Sequence, residues 1–423
     1  MISVLGSSWA LLLGLMLLMV GNGIQGTLLG IRGNIEGFST FELSIVMSAY
    51  FLGFLFGSRA APDLIRRVGH VRVFAALGSL VSAALILFPV VTDPISWTIL
   101  RVLIGFCFSA VYVTSESWLN NATTNETRGQ ALSLYVLVQM VGIVLAQVIL
   151  GFGDPNGYLM FIIPSVLVSL AFAPILLSVS PTPAFDTTAP MSFRKIYEVS
   201  PLGCVGIFLL GGMFSAMFGM SAVFGTQAGL SIGEISTFVG IMYVGGMVMQ
   251  YPIGWASDRM DRRRLIVLVS GLGVAGTIVG FVGLGGFAGL LVASFVIGGT
   301  ANPLYALLLA YTNDYLDNED MASASGRLVF ISGLGAIAGP VITGWVMSVF
   351  GPNGFFLFVG ILMTALIGYA LYRMTQRAAP SVEDTGLYTP ISPSSTTVAM
   401  EATQEVWIED DEDNSEEDPQ RAA

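Results

Sequence analysis

Long apolar runs, broken by short polar connections, recur along almost the whole chain. A helix needs about 20 apolar residues to cross the hydrocarbon core of a bilayer. Runs of that size fall near residues 9–30, 43–61, 72–91, 95–115, 130–151 and 157–179. After a polar connector at 180–198 they resume near 200–226, 232–256, 264–284, 287–311, 325–349 and 354–373. The strands of a membrane barrel would instead be short and alternating. The pattern predicts an all-α polytopic membrane protein with twelve transmembrane helices. They form an N-terminal six-helix bundle (1–179) and a C-terminal one (199–375), joined by the 180–198 connector and followed by a tail at 376–423. The first run begins at Trp9 without a basic segment before it and exceeds a signal-peptide core, so it reads as a span that is retained.

Composition agrees with this reading and excludes a soluble domain. Hydrophobic residues make up 54% of the 423 positions, charged residues 11%, and mean hydropathy is +0.78. Soluble domains carry about a quarter charged residues. The net charge of −11 is concentrated at one end: residues 374–423 hold 12 of the 28 acids and two of the 17 bases. Residues 376–423 therefore read as a disordered acidic tail, solvated or available to a docking partner. Fifteen of the 17 cations fall on one side of the predicted spans, and only Arg32 and Arg101 lie towards the other. Cations favour cytoplasmic loops, so both termini are expected in the cytoplasm, with the protein in a bacterial plasma membrane.

Several chemistries drop out at the same time. His70 is the sole histidine, and Cys107 and Cys204 sit within apolar runs where a thiol simply packs. No metal site, cofactor, nucleic-acid interface or enzymatic constellation is expected, and a monomer is.

The two halves repeat. A shift of 197 residues carries Gly57 onto Gly254, Arg66-Arg67 onto Arg263-Arg264, Trp118-Leu119-Asn120 onto Tyr315-Leu316-Asp317, and Gly129 onto Gly326. Glu42-Leu43-Ser44 and Glu234-Ile235-Ser236 also match, at a slightly smaller offset. Halves related in this way imply a binding site where they meet, near mid-membrane.

Three segments resemble the major facilitator superfamily of secondary transporters. Gly254 to Arg264 reads G-W-A-S-D-R-M-D-R-R-R, similar to that family's G-x-x-x-D-R-x-G-R-R loop with Asp261 in place of glycine. Arg101 to Gly105 is similar to its R-x-x-x-G element, and Gly335, Gly339-Pro340 and Gly344 to its G-x-x-x-G-P-x-x-G element. The first-half loop departs from the pattern, with Ala61 at the acid position and Asp63 two residues late. Gly142-Ile143 stands where exchangers of the family carry glycine-proline. The resemblance implies transport of a small molecule by alternating access. Proton-coupled efflux of an amphipathic compound is the leading reading, proton-coupled uptake of a small metabolite or vitamin the alternative, and a membrane sensor on the same scaffold a distant third.

Ionisable groups inside a bilayer are costly and mark candidate sites. Arg101 lies about 9 Å into span four from its outer end. Glu116 lies at the inner end of the same span, with Asp314 at the matching place in span ten. Both acids are candidate proton carriers. Asn22 and Gln25 in span one, Tyr135 and Gln139 in span five, and Asn302 and Tyr305 beside Pro303 in span ten supply polar groups for a cavity. The loops suggest a gate built from Asp258, Arg259, Arg262, Arg128 and Asp63, with Asp258 expected to clamp the amino end of span five.

Overall fold

The computed structural model describes residues 2–121, 123–177, 191–378 and 385–406. The first half comprises α1 (Ile2–Ile35), α2 (Thr40–Val68), α3 (His70–Leu87), α4 (Pro94–Asn121), α5 (Asn125–Gly151) and α6 (Leu159–Leu177). A short connector helix, α7 (Phe193–Val199), leads into the second half. That half holds α8 (Pro201–Gln227), α9 (Ile232–Ser257), α10 (Arg262–Val282), α11 (Gly286–Asn313), α12 (Asn318–Phe350) and α13 (Gly354–Met374). Residues 397–406 form a further helix, α14. Eleven helices among the described residues are long and apolar enough to cross a membrane, and α6 is a shorter apolar helix, Leu159–Pro174, at the place of the remaining expected span. Large apolar side chains such as Ile95, Ile99, Val148, Trp345 and Val349 face outward, as lipid contact requires.

The internal repeat has a local cause. Ser39 and Ser231 each cap a helix, and Glu42 and Glu234 each accept from the cap's backbone N–H at 2.8 Å. Each box satisfies backbone donors that a helix start leaves without partners. Packing repeats as well, with α2 against α4 and α9 against α11. A Cβ on Gly53 or Gly105 would lie 2.0 and 1.9 Å from carbonyl oxygens of the facing helix, and one on Gly245 or Gly298 would lie 2.1 and 1.9 Å. Small residues of this kind allow backbones in lipid to approach closely.

The halves touch through α1 with α8, α2 with α12 and α5 with α9. Several of these direct contacts lie towards the end of the bundle opposite the arginine-rich loops. There Gly30 meets Ala222, Gly219 meets Met47, Gly344 meets Ser44 and Gly151 meets Ser236. The Ser48 hydroxyl donates to Ile337 O at 2.6 Å, and Gln227 donates to the Thr40 hydroxyl. Towards the basic end, Arg59 stacks over Phe330 at 5.2 Å. Much of the remaining space at that end is filled by residues 385–406.

For residues 385–406 alone, that filling differs from the expectation of a disordered, solvated tail. Ile391, Thr396, Ala399, Met400, Ala402 and Gln404 are buried at 2% exposure or less. The physical reason is compositional: Thr385 to Met400 contains no charged residue, and the acidic run begins only at Glu409. The run itself, 409–418, and residues 180–190 of the connector lie outside the described residues.

Candidate functional site

Between the halves lies a cavity whose wall is apolar and rich in aromatic side chains. The first half contributes Met19, Asn22, Tyr50, Phe51, Phe54, Ser58 and Tyr112, and the second Phe214, Phe218, Tyr305 and Ser332. Asn22 is held by its Nδ2, which donates to Tyr112 Oη at 3.1 Å and Tyr50 Oη at 3.3 Å. Its Oδ1 is buried without a hydrogen-bond partner. Tyr50 and Phe51 pack on Phe218 with ring centroids 5.6 and 6.0 Å apart, so the aromatic wall continues from one half to the other. Pro393, Ser394 and Ser395 form the lid towards the basic end, and about 50 Å³ of space remains inside. A wider side cleft of about 540 Å³ opens between α5 and α9, also bordered by Tyr388 and Pro390.

Arg101 is fully buried but does not line the cavity. Its Nη1 donates to Gln25 Oε1 at 2.9 Å, and its guanidinium lies 4.7 Å from the centre of the Tyr50 ring. Tyr50 thus stands between the cation and the cavity's aromatic face. Arg101 Nε and Gln25 Nε2 are buried donors without protein partners.

Glu116 is the most heavily hydrogen-bonded of the predicted residues. Tyr135 Oη donates to Oε1 at 2.8 Å, Thr396 N–H reaches Oε2 at 3.2 Å, and Ala399 N–H reaches Oε2 at 3.3 Å. The Thr396 hydroxyl donates to the same oxygen. Gln139 is buried one turn along α5 from Tyr135. Asp314 is not comparable, because it pairs with Arg262, both side chains being 2% exposed. The pair removes Asp314 as a free carboxylate in this conformation. Asn302 donates to Gly298 O at 3.3 Å within α11, and its Nδ2 meets Gly246 of α9. Of the residues expected to line a cavity, Asn22 and Tyr305 do so; Gln25, Tyr135, Gln139 and Asn302 lie outside its wall.

The expected gate is engaged differently. Asp258 Oδ1 accepts from Tyr388 N–H at 2.9 Å, so its partner is the C-terminal segment and not the amino end of α5. Half-burial pushes its carboxyl above the usual range, against the pull of the Tyr388 N–H, Arg262 and Arg259. Arg128 pairs with Glu405 at 3.2 Å and donates to Asn120 Oδ1 at 3.0 Å. Arg262 donates to Gly386 O, and Arg263 Nη1 to Arg377 O at 2.6 Å. Arg259 stacks on Trp255 at 4.6 Å, and Asp63 pairs with Arg66 at 2.5 Å on the surface. Sequence reasoning found Tyr305 but missed the rest of the aromatic wall, Tyr50, Phe51, Phe54, Tyr112, Phe214 and Phe218, which look like ordinary lipid-facing or core positions. It also missed the C-terminal segment, despite its uncharged stretch.

Two repeated helical bundles of membrane-spanning length, with a cavity between them, define a multi-pass solute carrier. The Major Facilitator Superfamily profile matches residues 11–231 and again 202–406, and the chain belongs to that family. An uncharacterised transporter of this family from Yersinia pestis (strain Pestoides F) is 26% identical over 353 residues, covering 82% of this chain and 91% of the relative. The fold is similar to that of a single-substitution mutant of the nucleoside transporter NupG (TM-score 0.74, 14% identity, 86% of this chain and 99% of that one). It is also similar to a bacterial homologue of the human lysosomal transporter Spinster, in an inward-facing, unoccupied conformation (TM-score 0.68, 12% identity, 96% and 98%).

Proposed function

We propose that this protein is a proton-coupled secondary transporter that exports a small, uncharged amphipathic solute by alternating access. The supporting observation is the cavity between the halves, where seven aromatic rings surround Asn22, Ser58 and Ser332, and no ionised side chain is among the described residues of the wall. Such a surface offers stacking and a few hydrogen bonds, and a charged solute would lose its hydration there without a counter-charge. Glu116 is the proton carrier in this reading, as a buried carboxylate on the basic side of the cavity. Both termini face the cytoplasm, with the basic loops.

The purified full chain, screened by thermal shift against neutral, cationic and anionic compounds, should be stabilised by neutral amphipathic ones, because a ligand that binds only the folded state raises its stability. Proteoliposomes should then move the hit against its gradient when a pH gradient is imposed, and Glu116→Gln should abolish that accumulation. Stabilisation by anions alone, or accumulation unchanged in Glu116→Gln, would overturn the substrate class or the coupling respectively. Single cysteines at Asp154 and Arg194 should label from opposite faces of intact cells; labelling from one face would overturn the topology.

A further inference from the structure

Residues 385–406 sit where a solute would have to pass between the cavity and the basic end of the bundle. They begin beneath the second half. Arg263 holds Arg377 O just after α13, and Arg262 holds Gly386 O, so neighbouring arginines in the first turn of α10 pin the chain at both points. Tyr388 N–H then reaches Asp258, and the Tyr388 ring packs on Gly254. Pro393 to Ser395 cap the cavity, and at Thr396 the chain starts α14 with its first N–H groups aimed at Glu116 of the first half. The far end of α14 bridges both halves. Gln404 donates to Asn313 Oδ1 at 3.2 Å and accepts from Ser325 at 2.8 Å, while Glu405 pairs with Arg128.

We infer that the basic mouth of this carrier is a peptide-binding site, and that its ligand is the chain's own segment 385–406, which closes the transport route until it leaves. Three observations carry this beyond a structural strap. The segment's Glu116 contact uses the carboxylate that the proposed function assigns to the proton, so segment and coupling compete for one group. The lid leaves about 50 Å³, whereas small-molecule sites run to about 300–1,000 Å³. The halves also contact each other directly at the opposite end, so the segment is not what joins them. A helix amino end is a suitable ligand for a carboxylate, because its free N–H groups and dipole favour negative charge.

The inference rests on the proposed transport route but is tested without any solute. In the full chain with Cys107 and Cys204 changed to serine, Asn313→Cys with Gln404→Cys should be joined efficiently by a short thiol cross-linker. Separately, Ser332→Cys at the cavity wall should react slowly with a water-soluble maleimide. Adding Thr396→Ala and Tyr388→Ala should speed that reaction at least about ten-fold, since the first removes the hydroxyl bond to the Glu116 carboxylate and the second the ring packed on Gly254. Absence of the cross-link, or equal labelling rates with and without the two substitutions, would overturn the closure. Once a solute is known, a cleavable cross-link should stop flux until it is cut, and undiminished flux through linked protein would equally overturn it. Failure to find any solute would count against the transport reading alone, because cross-linking and labelling would still report closure.

Discussion

Thr396 and Glu116 are 280 positions apart, yet the Thr396 backbone N–H and hydroxyl both meet the Glu116 carboxylate. That contact places the start of α14 on the only carboxylate of α4, the group proposed above to carry the proton.

Glu401 gives the closed arrangement a pH dependence. Burial, reinforced by nearby Glu405, raises its pKa from 4.5 to about 7. A carboxyl raised on docking favours the docked state when protonated, and that contribution fades as pH rises through the docked value. Maleimide labelling of Ser332→Cys, divided at each pH by the rate of a fully exposed cysteine to remove the common rise in thiolate, should therefore accelerate between about pH 5 and pH 7.5, and Glu401→Gln should flatten that corrected change. Labelling that accelerates towards acid would refute the sign.

Asp314→Asn should cost about 3–5 kcal/mol, because it strands the buried Arg262 guanidinium. Asp63→Asn, which breaks a surface pair with Arg66, should change little. Thermal unfolding in detergent compares the two, and similar losses would argue against an energetic difference between buried and surface pairs.

Gly105→Ala should force α4 away from α2, since its Cβ would stand 1.9 Å from Tyr50 O. Overpacking of this kind costs about 1–3 kcal/mol. Gly368→Ala in α13 meets open space and should leave the unfolding temperature unchanged or slightly higher. Equal behaviour of the two variants would count against the close approach.

Arg101→Ala removes a hydrogen bond to Gln25 and the stacking on Tyr50, for an expected loss of about 2 kcal/mol. Arg101→Lys keeps the charge without the planar fork and should recover only part of it. Full recovery with lysine, read by the same melting experiment, would show that charge alone matters at this position.

The fold was legible because each span needs its own apolar run and each half repeats its landmarks. Ser39 with Glu42 and Ser231 with Glu234 show why: the same helix-capping chemistry is required twice. The site was harder. Asn22, Arg101 and Glu116 stood out because polar groups in lipid are costly, and all three proved buried. Tyr50, Phe51, Phe214 and Phe218 did not, because nothing in an apolar run distinguishes a cavity wall from a lipid face. The C-terminal segment was obscured by its acidic neighbour. Averaging 385–406 with 409–418 hides that the first stretch is nearly uncharged and carries the helix-forming sequence Val398-Ala399-Met400-Glu401-Ala402.

Because residues 385–406 follow α13 in the chain, they are the last described part to leave the ribosome. On the proposed closure, both bundles can insert and pair before the segment seats between them, since domains fold in order of synthesis. If 385–406 is the stopper, each new copy stands open on the basic side alone until the segment seats, while the contacts at the opposite end still separate the two compartments.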